Sequence, residues 1–180
     1  EVSFPVPPPS PRAIVDAFAA AVTPRTKVIE ITHITNLTGQ ILPVKDIMAM
    51  ARPKNIEVFV DGAHAFAHFP FTRDGLDVDY YGTSLHKWLL APIGTGFLYV
   101  RKAKQKSIWP LMAASAEQDN DIRKFEEIGT HPAANHNAVA VSLAFHRALG
   151  AGRKYARLVY LRDRWATRLV AEGKGRVKML

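Results

Sequence analysis

The sequence contains no cysteine, which excludes a disulfide framework or a cysteine nucleophile within its 180 residues. It has no apolar run long enough to cross a bilayer, no internal repeat, and no low-complexity segment beyond a proline-rich start. Acidic residues are the minority: 16 Asp+Glu against 24 Lys+Arg leave a formal charge of +8. An excess of this size fits nucleic acid, an anionic surface or a phosphorylated ligand. No nucleic-acid recognition motif accompanies it. The densest basic run (Arg153, Lys154, Arg157, Arg162, Arg164, Arg168) shares a helical segment with Leu158, Leu161, Trp165 and Leu169, which recur at spacings of three and four. Most of these charges therefore belong to a solvated face opposite an apolar stripe. His33, His68, His131, His136 and His146 show no metal-site spacing.

What remains is the composition of a globular domain or a large piece of one, 48% hydrophobic and 22% charged. Five prolines before residue 12 make an extended lead-in, and Ser10-Pro11 opens a helix to about Val22 with Ile14, Val15 and Phe18 on its apolar face. The β-branched run Lys27 to Ile34 predicts a strand and the polar stretch Thr35 to Gln40 a turn. A short helix over Pro43 to Arg52, a strand over Glu57 to Val60, a strand over Val78 to Gly82 and another over Gly96 to Val100 follow. Strands alternating with helices predict an α/β layer with a mostly parallel sheet flanked by helices. The connection from Lys87 to Gly94 is too short for a helical crossover, so the last strand is expected to run antiparallel. Gly94-x-Gly96 is not a dinucleotide fingerprint, because the third glycine and the following helix are missing. Residues 107–121 read as a loop-rich excursion, Asn135 to Leu149 and Arg153 to Ala171 as helices, and Arg176 to Leu180 as a strand cut short.

The chemistry gathers behind the strands. Asn36 follows the first, Asp61 and His64 the second, and Ser84, His86 and Lys87 the third. In a parallel sheet these ends share one rim, where open α/β sheets bind ligands. Taken alone, Asp61 and Asn36 are ordinary turn residues and Lys87 a solvated charge. Together they place an amine, a carboxylate, hydroxyl and imidazoles in one cleft, and an amine in such company is a candidate for Schiff-base chemistry.

The runs Val60-Asp61-Gly62-Ala63-His64, Ser84-Leu85-His86-Lys87-Trp88 and Pro92-Ile93-Gly94-Thr95-Gly96 resemble the class V aminotransferase family of fold-type-I pyridoxal-phosphate enzymes, most of all its isopenicillin-N-epimerase-like members. Thr32 to Gly39 and Phe125 to Thr130 fit the same pattern, and the intervals from Asn36 to Asp61 and from Asp61 to Lys87 agree. The resemblance implies pyridoxal 5'-phosphate as cofactor, with Lys87 as the Schiff-base lysine and base for the α-proton, and Asp61 against the pyridine nitrogen. It also implies His64 and Asn36 near the ring's phenolic edge, Ser84 and His86 on the phosphate, and Thr130 reaching the phosphate of a neighbouring subunit. Trp88 reads as packing. The implied partners are an amino-acid substrate and a second copy in a homodimer with a shared site, with no nucleic acid and no membrane, in the cytoplasm. Transamination, epimerisation and carbon–sulfur cleavage remain open, as does a non-catalytic α/β interaction module with a basic surface.

Family members are considerably longer. Residues 1–130 are therefore expected to be the central part of the cofactor-binding large domain, and residues 131–180 a helical connection and the beginning of a small C-terminal α+β domain. The group that stacks over the pyridine ring and the turn that cradles the phosphate are expected outside this sequence. The isolated chain should accordingly bind pyridoxal phosphate weakly or not at all; titration with the cofactor checks this by absorbance, and a tight stoichiometric complex would contradict it.

Overall fold

The computed structural model describes residues 1–126 and 128–179. Helix α1 (Pro11–Ala21) starts where expected: the Ser10 hydroxyl accepts from the Ala13 amide at 3.2 Å, and Pro11 occupies a position whose N–H has no intrahelical partner anyway. Strand β1 (Val28–Thr32), helix α2 (Val44–Ala51) and strand β2 (Glu57–Asp61) follow. A one-turn helix α3 (Arg73–Leu76), capped by the Thr72 hydroxyl on Gly75, was not foreseen; it lies between β2 and the strand expected from Val78. Strand β3 (Tyr80–Ser84) begins two residues later than the sequence implies, so Ser84 closes the strand. Strand β4 (Gly96–Val100) completes a sheet of order β1-β2-β3-β4, parallel except for β4, which pairs antiparallel with β3 as expected.

Register fixes which side chains share a face. Ile29 and Ile31 stand beside Val58 and Val60, and Val60 beside Tyr81, all on the face covered by α1 and α2. Val58, Val60, Ile47 and Ala51 are fully buried there. Each large apolar side chain so enclosed contributes roughly 1.5–3 kcal/mol. The opposite face carries Glu57, Phe59 and Asp61, and is less covered among the described residues: Val28 is 54% and Leu98 47% exposed.

One buried charge ties the antiparallel edge to the parallel centre. Asp79 accepts from the Val58 amide at 3.2 Å and from Arg101 Nε at 3.1 Å, while the Arg101 amide donates to the Asp79 carbonyl at 2.8 Å. Arg101 also pairs with Asp77 at 2.6 Å, holding that carboxyl below its ordinary range.

Helices α4 (Ala133–Leu149) and α5 (Ala151–Glu172) form as expected, one turn or less longer than the sequence periods indicate. Two expectations are corrected. Among the described residues most of the apolar stripe of α5 has no cover: Leu158 is half-buried, Leu161, Trp165 and Leu169 are exposed, Trp165 by 62%, and Ala166 is the helix's one buried residue. Amphipathic spacing fixes the phase of a stripe, not the presence of a surface to bury it. The strand expected over Arg176 to Leu180 does not form across the described residues; Arg176 instead turns back, its amide donating to the Gly173 carbonyl, so that this backbone donor is satisfied locally. Leu180 lies outside the described residues. No described helix is long and apolar enough to cross a membrane.

Removing one partner of a buried pair costs far more than removing a surface one. Asp79→Ala should lower the unfolding free energy by about 3–5 kcal/mol, whereas Arg12→Ala, in an exposed pair with Asp16, should cost less than about 1 kcal/mol. Urea unfolding midpoints compare the two directly.

Candidate active site

The rim is built by strand ends. The Gly62 amide donates to the Gly82 carbonyl at 2.7 Å and the His33 amide to the Asp61 carbonyl at 2.8 Å, so ladder-like pairing continues past the last strand residues. The Thr83 hydroxyl donates to the Gly62 carbonyl at 3.1 Å, fastening the two chain segments that carry the candidate groups. Asp61 stands between Thr32 of β1 and Gly82 of β3 in the register, so on the β3 side no side chain stands across the ladder from its carboxylate. Its Oδ1 accepts from the Ala63 amide at 2.8 Å in a turn; Oδ2 has no hydrogen-bond partner among the described residues. Ser84 lies two residues beyond Gly82 on the same face and pairs through its backbone with Gly96.

At this rim Lys87 Nζ lies 2.8 Å from His64 Nε2, a hydrogen-bond distance between residues 23 apart in sequence. Burial and then the charge of Lys87 push His64 below the ordinary imidazole range, while Asp61 pulls it back up. His64 therefore lies in the field of both the amine and the carboxylate. A neutral imidazole has one nitrogen free to accept, so Nε2 can take a hydrogen bond from Nζ. The loops bearing this pair contain Ala67 (φ 60°) and Leu90 (φ 64°), left-handed positions for residues with a Cβ. Strain of that kind collects where function over-determines the backbone.

The remaining expected residues are less tightly gathered. His86 and Asn36 are exposed, Asn36 in a turn closed by the Thr35 amide on the Gln40 carbonyl at 3.0 Å. Thr130 is exposed, and neither it nor Asn36 hydrogen-bonds to Asp61, His64 or Lys87. A cavity of about 330 Å³, lined by Phe66, Phe71, Tyr81, Phe97 and Leu143 among others, opens on the sheet face of Tyr81. Neither Lys87 nor Asp61 lines it. It is an apolar space without the groups that the rim provides.

Sequence reasoning passed over what lies beneath Asp61. His33 is 3% exposed, with Nδ1 3.3 Å from the Tyr81 hydroxyl and its ring edge-on to Phe69 and Phe71 at 5.1 and 4.9 Å. Burial lowers its pKa to about 4 and raises that of Tyr81. The signal was available: His33 continues the period-two series of Ile29 and Ile31, so it had to point inward. Gly62 also has a steric reason, because a Cβ there would fall 2.1 Å from the Tyr81 ring.

With this geometry described, the comparisons decide the family. The aminotransferase class-V family model matches residues 8–160. The chain belongs to the class-V aminotransferase family. It is 32% identical to isopenicillin N epimerase of Streptomyces clavuligerus over 94% of this chain and 46% of that protein. A cysteine desulfurase of Salmonella newport is 39% identical, over 53% of this chain and 23% of its own. Among solved structures, a mutant of C-DES with glycine covalently linked to its PLP cofactor superposes with TM-score 0.74 at 25% identity, over 87% of this chain and 44% of that one. The chain spans less than half the length of these relatives. The fold expected from the sequence is the fold of this neighbour, and the cofactor expected is the one that neighbour holds.

His33 makes a measurable claim about pH. Above pH 6.5 the imidazole is neutral whether the chain is folded or not; below it the unfolded chain takes up a proton that the folded chain resists down to about 4. Stability should therefore fall by about 3 kcal/mol as pH drops from 6.5 to 4. His33→Gln should flatten that slope, as measured by denaturant unfolding across the interval.

Proposed function

We propose that this chain carries the central part of a pyridoxal-phosphate enzyme that acts on the α-carbon of an amino acid, with Lys87 as the residue to which the cofactor is linked. The observation that carries the reading is the 2.8 Å contact of Lys87 Nζ with a depressed His64 on the rim that holds Asp61. The residue types fit the group: an amine for an aldehyde, a carboxylate with a free oxygen for a ring nitrogen, and at Ser84 and His86 a hydroxyl and an imidazole for a phosphate. Pyridoxal phosphate supplies that aldehyde and a ring that takes up the electron pair of a broken α-bond.

The protein's own steps then follow. His64, kept neutral by burial and by the charge of Lys87, accepts a hydrogen bond from Nζ at Nε2 and so orients the amine. Asp61 Oδ2 would hold a proton on a ring nitrogen, keeping negative charge paired with positive. Lys87 Nζ would move the substrate's α-proton. His64 and Asn36 bound the ring edge, Ser84 and His86 the phosphate, and Thr130 the phosphate of a second subunit in a homodimer. In this reading residues 1–130 belong to the large domain and 131–180 lead into the small one. Epimerisation and carbon–sulfur cleavage both have support: the epimerase match spans 94% of the chain, and the cystine C-S lyase C-DES superposes over 79–87% of it.

In the intact protein, borohydride reduction in the presence of pyridoxal phosphate should leave a covalent tag on Lys87, located by peptide mass spectrometry. Lys87→Ala should lose the tag and lower turnover by at least about 100-fold. In heavy water, epimerisation predicts deuterium at the α-carbon with the amino group retained; release of keto acid or sulfide would assign the other reactions. A tag on another lysine, with turnover unchanged in Lys87→Ala, would sink the reading.

A further inference from the structure

His68 touches His64 and Trp88, the residue after Lys87, without belonging to the Lys87–His64 pair. It lies four residues after His64, and its Nδ1 is 2.9 Å from the His64 carbonyl oxygen. A carbonyl only accepts, so Nδ1 carries the proton and donates. The same imidazole is stacked on the ring of Trp88, with centroids 3.5 Å apart and planes inclined by 8°. Trp88 is the residue after Lys87, and its own carbonyl accepts from Lys154 Nζ on α5. One ring thus grips the backbone of His64 on one side and the side chain next to Lys87 on the other.

We propose that His68 is a positioning residue, which holds Lys87 Nζ against His64 Nε2 by bracing the His64 carbonyl and the Trp88 ring at once. The proposal rests on the reading of Lys87 as the cofactor-linking lysine, and it gives Trp88, expected as packing alone, the part of an anchor. Both loops contain left-handed non-glycine residues, Ala67 and Leu90, so neither relaxes into this geometry by local preference. Something outside each loop has to hold it, and His68 joins the two. It does so with contacts that need a donor and a flat ring together, a combination that neither phenylalanine nor asparagine supplies.

The test uses the intact, cofactor-free protein with His68→Ala, His68→Phe and His68→Asn. Each is treated with limiting acetic anhydride, and acetylation at every lysine is read by peptide mass spectrometry. Lys87, released from His64, should acetylate about fivefold faster in His68→Ala, the population change expected from losing one net hydrogen bond. Exposed Lys45 and Lys54 should keep their rates. His68→Phe retains the stack and His68→Asn retains a donor, so each should recover part of the protection; these variants also keep the test readable if the alanine variant does not fold. A structural role alone would lower the melting temperature and leave the Lys87 rate at its original value; that rate in every folded variant overturns the proposal. The borohydride tag separates the two claims: faster acetylation with no tag on Lys87 in the parent protein supports the brace and removes the functional reading.

Discussion

Parallel pairing of β1, β2 and β3 is the constraint from which the rest follows. It sends three chain segments out of the sheet at the same end, so groups widely separated in sequence meet without any local signal to bring them together. The pairing is held by apolar burial on one face, where Ile29, Ile31, Val58, Val60 and Tyr81 pack under α1 and α2. Because side chains alternate, the same register that buries Val60 turns Asp61 to the other face beside a glycine. A slip of one residue would bury the carboxylate and expose the valine. Core and site are therefore two consequences of one register.

Charge is managed differently at each depth. Asp79, nearly buried, is tied to a backbone amide and to Arg101, so its charge is matched where water cannot reach it. His33, equally buried, meets an aromatic hydroxyl and ring edges, and burial keeps it neutral. His64 at the rim is depressed for a mixed reason, burial and then the neighbouring amine, with Asp61 opposing. Of the three it is the one that faces a lysine amine, at the half-buried rim.

Much of the architecture was legible. A β-branched run marked β1 and a brief apolar run β2, Ser10-Pro11 marked the start of α1, and the short connection after Lys87 marked β4 as antiparallel. These are local signals, set by backbone sterics and by side-chain periods of two and 3.6. The rim residues Asp61, His64, Ser84 and Lys87 were legible for a related reason, since each sits just after or at the close of a strand. Asn36 and Thr130 were legible only as turns, and the fold leaves them on the surface. Small capped turns such as α3 were missed because one turn of helix is too short to express a period.

The sequence by itself determined which residues could form strands and helices, which faces were apolar, and which chemical groups would be offered at the strand ends. The tertiary structure alone decided that Lys87 meets His64, that His33 lies against Tyr81, and that His68 stacks on Trp88. It also left most of the stripe of α5 without cover among the described residues. The reason is that periodicity is a property of neighbours along the chain, whereas these contacts depend on the paths of loops whose backbone angles, at Ala67 and Leu90, no local preference would select.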